Sequence, residues 1–201
     1  MTFANQRQFD APGTKLRAMG YNTSLNPQPH RPEVESIHCV KQSLLATGGI
    51  ENPQERVVAA GTKLVRFGSG VLVPQVAAGE WWLDWGNYQI VEQYADAAGK
   101  SVPVAVRELC CVPLEWSDMT IVVQARVIQP LLAYEGSGAS ATVKEGREHL
   151  DGMRAKSLGL TQMFIPGLSD PDLRRDSLMV TGYGLLPHEL SQAGYFPQHM
   201  P

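Results

Sequence analysis

The segment that most restricts how this chain can fold is Gly61-Thr-Lys-Leu-Val-Arg-Phe-Gly-Ser69, a short apolar alternation that carries one arginine and breaks at a glycine. Side chains on a strand alternate with a period of two, so Leu64 and Arg66 share one face and Lys63, Val65 and Phe67 the other. An arginine in mid-strand among apolar neighbours is costly unless something anionic or polar meets it. Arg66 therefore has either a structural acid as its partner or a ligand. A phosphate or carboxylate would suit the planar fork of guanidinium better than it suits lysine.

The 201 residues, 43% of them apolar, suffice for one core of ordinary size. A net charge of −3 without a run of lysine and arginine gives no general attraction to nucleic acid or anionic lipid, so neither is an expected partner. Three cysteines, two of them adjacent at Cys110 and Cys111, do not make a disulfide framework and read as reduced core thiols. The first twenty residues lack an apolar run of signal-peptide length, and no stretch reaches the ~18 apolar residues that span a bilayer. The expectation is a cytoplasmic protein or one exported by a leaderless route.

Along the chain, residues 1–55 read as an N-terminal arm and packing helix, and residues 56–201 as the main domain. Prolines and asparagines up to Pro32 predict an extended or poorly ordered arm, and Glu33 to Ala46 a packing helix stopped by Gly48-Gly49. Asn52 to Arg56 reads as a turn or short helix, and Gly70 to Pro74 as a loop or irregular strand. Gly79-Glu-Trp-Trp-Leu-Asp-Trp85 is a strand whose adjacent tryptophans face opposite sides, so one packs in the core and the other packs or lines a cleft. Asn87 is a candidate N-cap for a helix with a Tyr88, Val91, Tyr94, Ala95, Ala98 stripe that ends at Gly99. Val102 to Trp116 and Met119 to Glu135 are rich in β-formers and read as the long strands. Lys144 to Lys156 predicts a short helix, Leu160 to Gly167 a strand, Asp170 to Asp176 a polar turn, and Ser177 to Gly182 a last strand. The class is α+β.

Several chemistries lack their residues. The five histidines are scattered without zinc spacing, so no metal is expected. There is no Gly-x-Ser-x-Gly elbow, and no Walker or Rossmann glycine pattern. What remains is Arg66 with Phe67-Gly68-Ser69, then Trp81-Trp82, then Pro130-Leu-Leu-Ala-Tyr-Glu-Gly136, and then Gly159-Leu-Thr-Gln162. In that order the segments resemble the ADP-ribosyltransferase-like fold, in particular its NAD glycohydrolase toxins of the tuberculosis-necrotizing-toxin type. The likeness runs in patches over residues 56 to 182.

The resemblance implies split β-sheets with flanking helices and NAD as substrate, without a metal. Cleaving the nicotinamide–ribose bond passes through an oxocarbenium-like state, so such a site must hold the diphosphate, sandwich the nicotinamide and steady the ribose. By resemblance, Arg66 contacts phosphate and Gln162 stands at the catalytic position that binds the ribose hydroxyl, with Glu135 as the other candidate there. Phe67, Ser69, Trp82 and Tyr88 are the implied NAD-binding residues, Trp81 being another aromatic within that choice. A glutamine carries no full charge, which favours hydrolysis over transfer to a protein acceptor. Mono-ADP-ribosyl transfer remains the alternative, and a non-catalytic accessory domain is the alternative of another class. A toxin of this type also implies an immunity or antidote protein.

Overall fold

The computed structural model describes residues 2–21, 48–69, 72–142 and 149–186. The fold is α+β. Seven strands form one open antiparallel sheet in the order β1-β5-β8-β3-β2-β4-β9. These are β1 (Gln54–Val58), β2 (Lys63–Gly68), β3 (Trp81–Asp84), β4 (Ile121–Val127), β5 (Leu131–Gly136), β8 (Gln162–Phe164) and β9 (Leu178–Leu185). A separate two-stranded ribbon joins β6 (Ala141–Thr142) to β7 (His149–Leu150). The helices are α1 (Gln6–Phe9), α2 (Thr14–Ala18), α3 (Val73–Ala77), α4 (Trp85–Ala98), α5 (Val102–Cys110), α6 (Met153–Ser157) and α7 (Pro171–Ser177).

Alternation along the strands divides the core between two faces. Leu64, Trp82, Ala125, Ala133 and Met163 point to one, which α3 covers with Val76 and Ala77. Val65, Leu83 and Val122 point to the other, beneath α4 and α5. On that second face Leu132, Tyr134 and Phe164 meet Phe9 and Ala18 of α1 and α2. Burial of these apolar side chains is the dominant favourable contribution to folding, on the order of 25 cal/mol per Å² removed from water.

The centre of the sheet is narrow. β3 matches β2 only at Leu64 with Asp84 and Val65 with Leu83, and matches β8 only at Trp81 with Phe164 and Trp82 with Met163. Beyond Val65, strand β2 continues along β4 as far as Gly68 while β3 diverges from it. A gap opens between the two strands. It positions the site described below.

Several local expectations need correcting. Residues 2–21 are not an extended arm: Asn5 is fully buried, its amide donating to the Leu132 and Pro166 carbonyls and accepting from the Leu132 N–H, which fastens α1 to β5. Asn52 to Val58 makes a turn and then β1, without a helix. Val102 to Cys110 is helix α5, not strand. Pro103 sits in its first turn where no N–H is missed, and Val102, Ala105, Val106 and Leu109 recur at helical spacing, so burial on one side overrides the β-propensity of the valines. Residues 171–177 likewise form α7, started by Asp170 accepting from the Asp172 and Leu173 N–H groups with Pro171 just inside. Residues 73–77 form α3 rather than a loop or strand. The cap of α4 is Asp84, which accepts the Asn87 N–H at 2.8 Å, and Gly99 at φ 63° ends the helix as expected. The predicted packing helix from Glu33 to Ala46 lies outside the described residues; of the predicted Lys144 to Lys156 helix, residues 144–148 lie outside them, His149–Leu150 form strand β7 instead, and the helix begins only at Met153 as α6. Among the described residues no helix is long and apolar enough to cross a membrane.

Candidate functional site

The gap between β2 and β3 opens into a cavity of about 700 Å³. Arg66 fills its inner end. Were the β2–β3 ladder to continue, main chain would meet main chain here. Instead the Arg66 guanidinium takes that place, Nη1 donating to the Trp81 carbonyl and Nε to the Val76 carbonyl, each at 2.5 Å. The fit requires Gly79. A Cβ at that position would stand 1.8 Å from Nη2 and 1.9 Å from Cζ, so the guanidinium lies directly against the glycine main chain.

Two carbonyls satisfy donors but do not neutralise a charge. Burial lowers the Arg66 pKa to about 10, partly offset by the nearby Glu80, so the side chain remains a cation at neutral pH. Among the described residues no acid forms an ion pair with it; Glu80 pairs instead with Arg17. The expectation of a structural acid at Arg66 is therefore not what the fold supplies.

Gln162 enters the same cavity from β8. It is buried, and its Nε2 donates to the Gly49 carbonyl at 2.9 Å, which leaves the amide oxygen without a protein partner among the described residues. Glu135, the other candidate, is not in the cavity. It pairs with Met163 across the β5–β8 ladder while Gln162 pairs with Gly136, so alternation turns the two to opposite faces. Glu135 makes an ion pair with Arg56 and accepts from the Thr161 hydroxyl at 2.8 Å.

The aromatic residues separate. Phe67 is buried and lines the cavity wall. Trp82 reaches the wall but is only 2% exposed as a residue, fixed by Nε1 donating to the Gly79 carbonyl at 2.8 Å, so most of it is core. Tyr88 does not reach the cavity, contrary to expectation. It lies on the buried side of α4 behind Phe67, ring centroids 5.9 Å apart, with its hydroxyl donating to Glu92. Ser69 is at the mouth, its hydroxyl 2.8 Å from that of Ser117 and accepting the Asp118 N–H at 2.9 Å. Arg66, Phe67, Ser69, Trp82 and Gln162 are thus brought together, and Tyr88 is left out.

Trp81, an aromatic candidate by sequence, also lines the cavity, and three further lining residues, Trp116, Arg17 and Glu80, were not singled out by sequence. Trp81 is partly exposed and packs its ring 5.1 Å from that of Phe164. Trp116 stands at the mouth with 48% of its surface exposed, an apolar ring at an entrance. Arg17 and Glu80 add a cation and a carboxylate to the wall. No sequence signal marks Arg17, which comes from a helix 49 positions before Arg66. Cys110 and Cys111 also line the cavity. Burial pushes their thiols up to about 12 and about 11, so both are neutral walls at physiological pH. Among the described residues no three His, Cys, Asp or Glu side chains gather into a metal-ligating cluster.

No family model matches the chain, and no curated protein matches it. Two solved structures are similar at a low level. One is Rhs1-CT in complex with its cognate immunity protein RhsI1, 14% identical with a TM-score of 0.43, covering 70% of this chain and 86% of that one. The other is Tne2 in complex with Tni2, 14% identical with a TM-score of 0.37, covering 72% of this chain and 98% of that one. Likeness of this strength bears on neither activity nor partner.

Proposed function

We propose that this protein is a toxin or effector enzyme that binds NAD in the cavity between β2 and β3 and hydrolyses its nicotinamide–ribose bond. The observation that carries the reading is the meeting of Arg66, an aromatic wall and Gln162 in one cavity of about 700 Å³, a size within the usual range for small-molecule sites. The resemblance of the Gly61 to Ser69, Pro130 to Gly136 and Gly159 to Gln162 segments to NAD-cleaving toxins supports the choice of NAD.

In this reading Arg66 holds the diphosphate with its remaining N–H donors, its position fixed by the Val76 and Trp81 carbonyls. Phe67 and Trp81 offer ring surface to the nicotinamide. The Gln162 amide oxygen accepts the ribose 2′ hydroxyl, and the bond that Nε2 donates to the Gly49 carbonyl anchors the amide so that little orientation is lost in the transition state. As the C–N bond breaks, nicotinamide departs with the bonding electrons and water adds to the ribose carbon, releasing one proton. An immunity protein that covers the cavity mouth is the implied partner in a producing cell.

The test is nicotinamide release from NAD by the full chain, alongside Gln162→Ala and Arg66→Ala. Each variant is expected to lose about 100-fold or more in kcat/KM. Absence of release by the unmodified protein, with or without protein acceptors, would sink the reading; ADP-ribose appearing on an acceptor would shift it to transfer.

A further inference from the structure

Arg66 is not the only cation on the cavity wall. Arg17, from α2, lies over the Phe164 ring with its Cζ 5.2 Å from the centroid, and its Nη2 pairs with Glu80 Oε2. Glu80 is the only carboxylate among the described lining residues, and it is held firmly: Oε1 accepts the Gly167 N–H at 2.7 Å, and its side chain is 11% exposed. The two guanidinium groups flank one short segment. Arg66 rests on Gly79 and donates to the Trp81 carbonyl, and Arg17 grips the residue between them. The Arg17 side chain lines the cavity and remains 40% exposed, so donors on its fork stay open to a ligand.

We infer that Arg17 is a second anion-binding residue, forming with Arg66 a two-cation clamp for a diphosphate, and that Glu80 orients Arg17 and competes with the ligand for it. The inference rests on the proposed NAD reading for its substrate and deepens it by naming what selects a dinucleotide over a nucleoside. A single guanidinium suffices for one phosphate. Two, seated on successive residues of one segment of the same cavity wall, suit two adjacent anionic groups and favour NAD over fragments that share the scissile bond but lack the diphosphate. Glu80 has a defined part in this: its charge lowers the attraction of the cavity for anions while no ligand is present and keeps the Arg17 fork pointed along the wall.

Two measurements on the full chain test it. In calorimetry with inorganic pyrophosphate, Arg17→Met is expected to weaken binding about 10-fold, Arg17→Lys to recover part of that, and Glu80→Gln to tighten binding about 3-fold by removing the competing charge. In steady-state kinetics, Arg17→Met should raise KM for NAD about 10-fold with kcat retained, and leave cleavage of nicotinamide riboside as it is in the unmodified protein. Unchanged pyrophosphate affinity in Arg17→Met, weaker or unchanged affinity in Glu80→Gln, or equal losses on both substrates would overturn the inference. Because pyrophosphate binding needs no turnover, an Arg17-dependent affinity in a protein that releases no nicotinamide keeps the clamp and removes only the hydrolase.

Discussion

Two arginines of this sheet, Arg56 on its edge strand and the more deeply buried Arg66 near its centre, have opposite surroundings. Arg56 on β1 faces two carboxylates: Nη2 reaches Asp84 at 2.9 Å, and Nη1 pairs with Glu135. The network continues through Thr161 and Asn87, which donate to Glu135 and Asp84 at 2.8 and 2.9 Å. Although burial alone would lower the Arg56 pKa, the bonds and charges of Asp84 and Glu135 raise it overall. Among the described residues Arg66 donates to carbonyls and has no ion pair, and burial prevails over the nearby Glu80 charge, bringing it to about 10. A cation neutralised inside the fold fastens strands together. In the proposed reading, one held by dipoles beside an open cavity keeps its charge for a ligand.

The widest separation between the two is expected in activity. Arg66→Ala should lose about 100-fold or more in kcat/KM for NAD, whereas Glu135→Gln should retain activity near that of the parent chain. If Glu135→Gln is the inactive one in a nicotinamide-release assay, the two regions have been assigned the wrong way round.

Gly79→Ala comes next. Its methyl would displace the Arg66 guanidinium from its carbonyls, and kcat/KM should fall about 10-fold or more, with the Arg56 network untouched. A Gly79→Ala enzyme with parental kinetics would show that the seating of Arg66 is immaterial.

Stability should divide the other way. Glu135→Gln leaves Arg56 with one acid and is expected to cost about 1–2 kcal/mol in urea unfolding. The pH dependence has the same origin. Burial alone would raise the Asp84 pKa, but the Asn87 donors and Arg56 outweigh it and hold the carboxyl below its usual range. A carboxyl with a depressed folded pKa contributes stability above its unfolded pKa and loses it as pH falls through the folded value. Arg56→Met should flatten that acid-side decline; a parental acid profile in Arg56→Met would remove Arg56 from the explanation.

Smallest is Tyr88→Phe, which removes a hydroxyl bonded to Glu92 behind Phe67 and should change stability by less than about 1 kcal/mol and activity hardly at all. A large kinetic effect would return Tyr88 to the site.

The contrast also marks where the sequence could be read. The alternation of Gly61 to Ser69 and the stripe of α4 carry their own periodicity; β2 forms with the predicted faces, and α4 buries Tyr88, Val91 and Ala95 of its stripe while Ala98 is exposed. In α5 two signals compete, and the valines and cysteines obscured the spacing of Val102, Ala105, Val106 and Leu109 that burial selects. Convergence of Arg66 with Gln162 was legible only through the resemblance. Arg17, Glu80 and Trp116 were not legible at all, because what brings them to the cavity is the packing of α2 and the loop before β4 onto the sheet. The opposition of Glu135 and Gln162 followed from register, which no single strand discloses.

The manner in which Arg66 is seated has an evolutionary consequence. Its platform is a residue without a side chain, and both of its anchors are main-chain oxygens, so the hold on Arg66 itself does not depend on which side chains stand at positions 76 and 81. Divergent descendants of such a protein would share an arginine and a glycine thirteen positions later and little else around them. Kinship would persist in the path of the backbone long after it had faded from the letters.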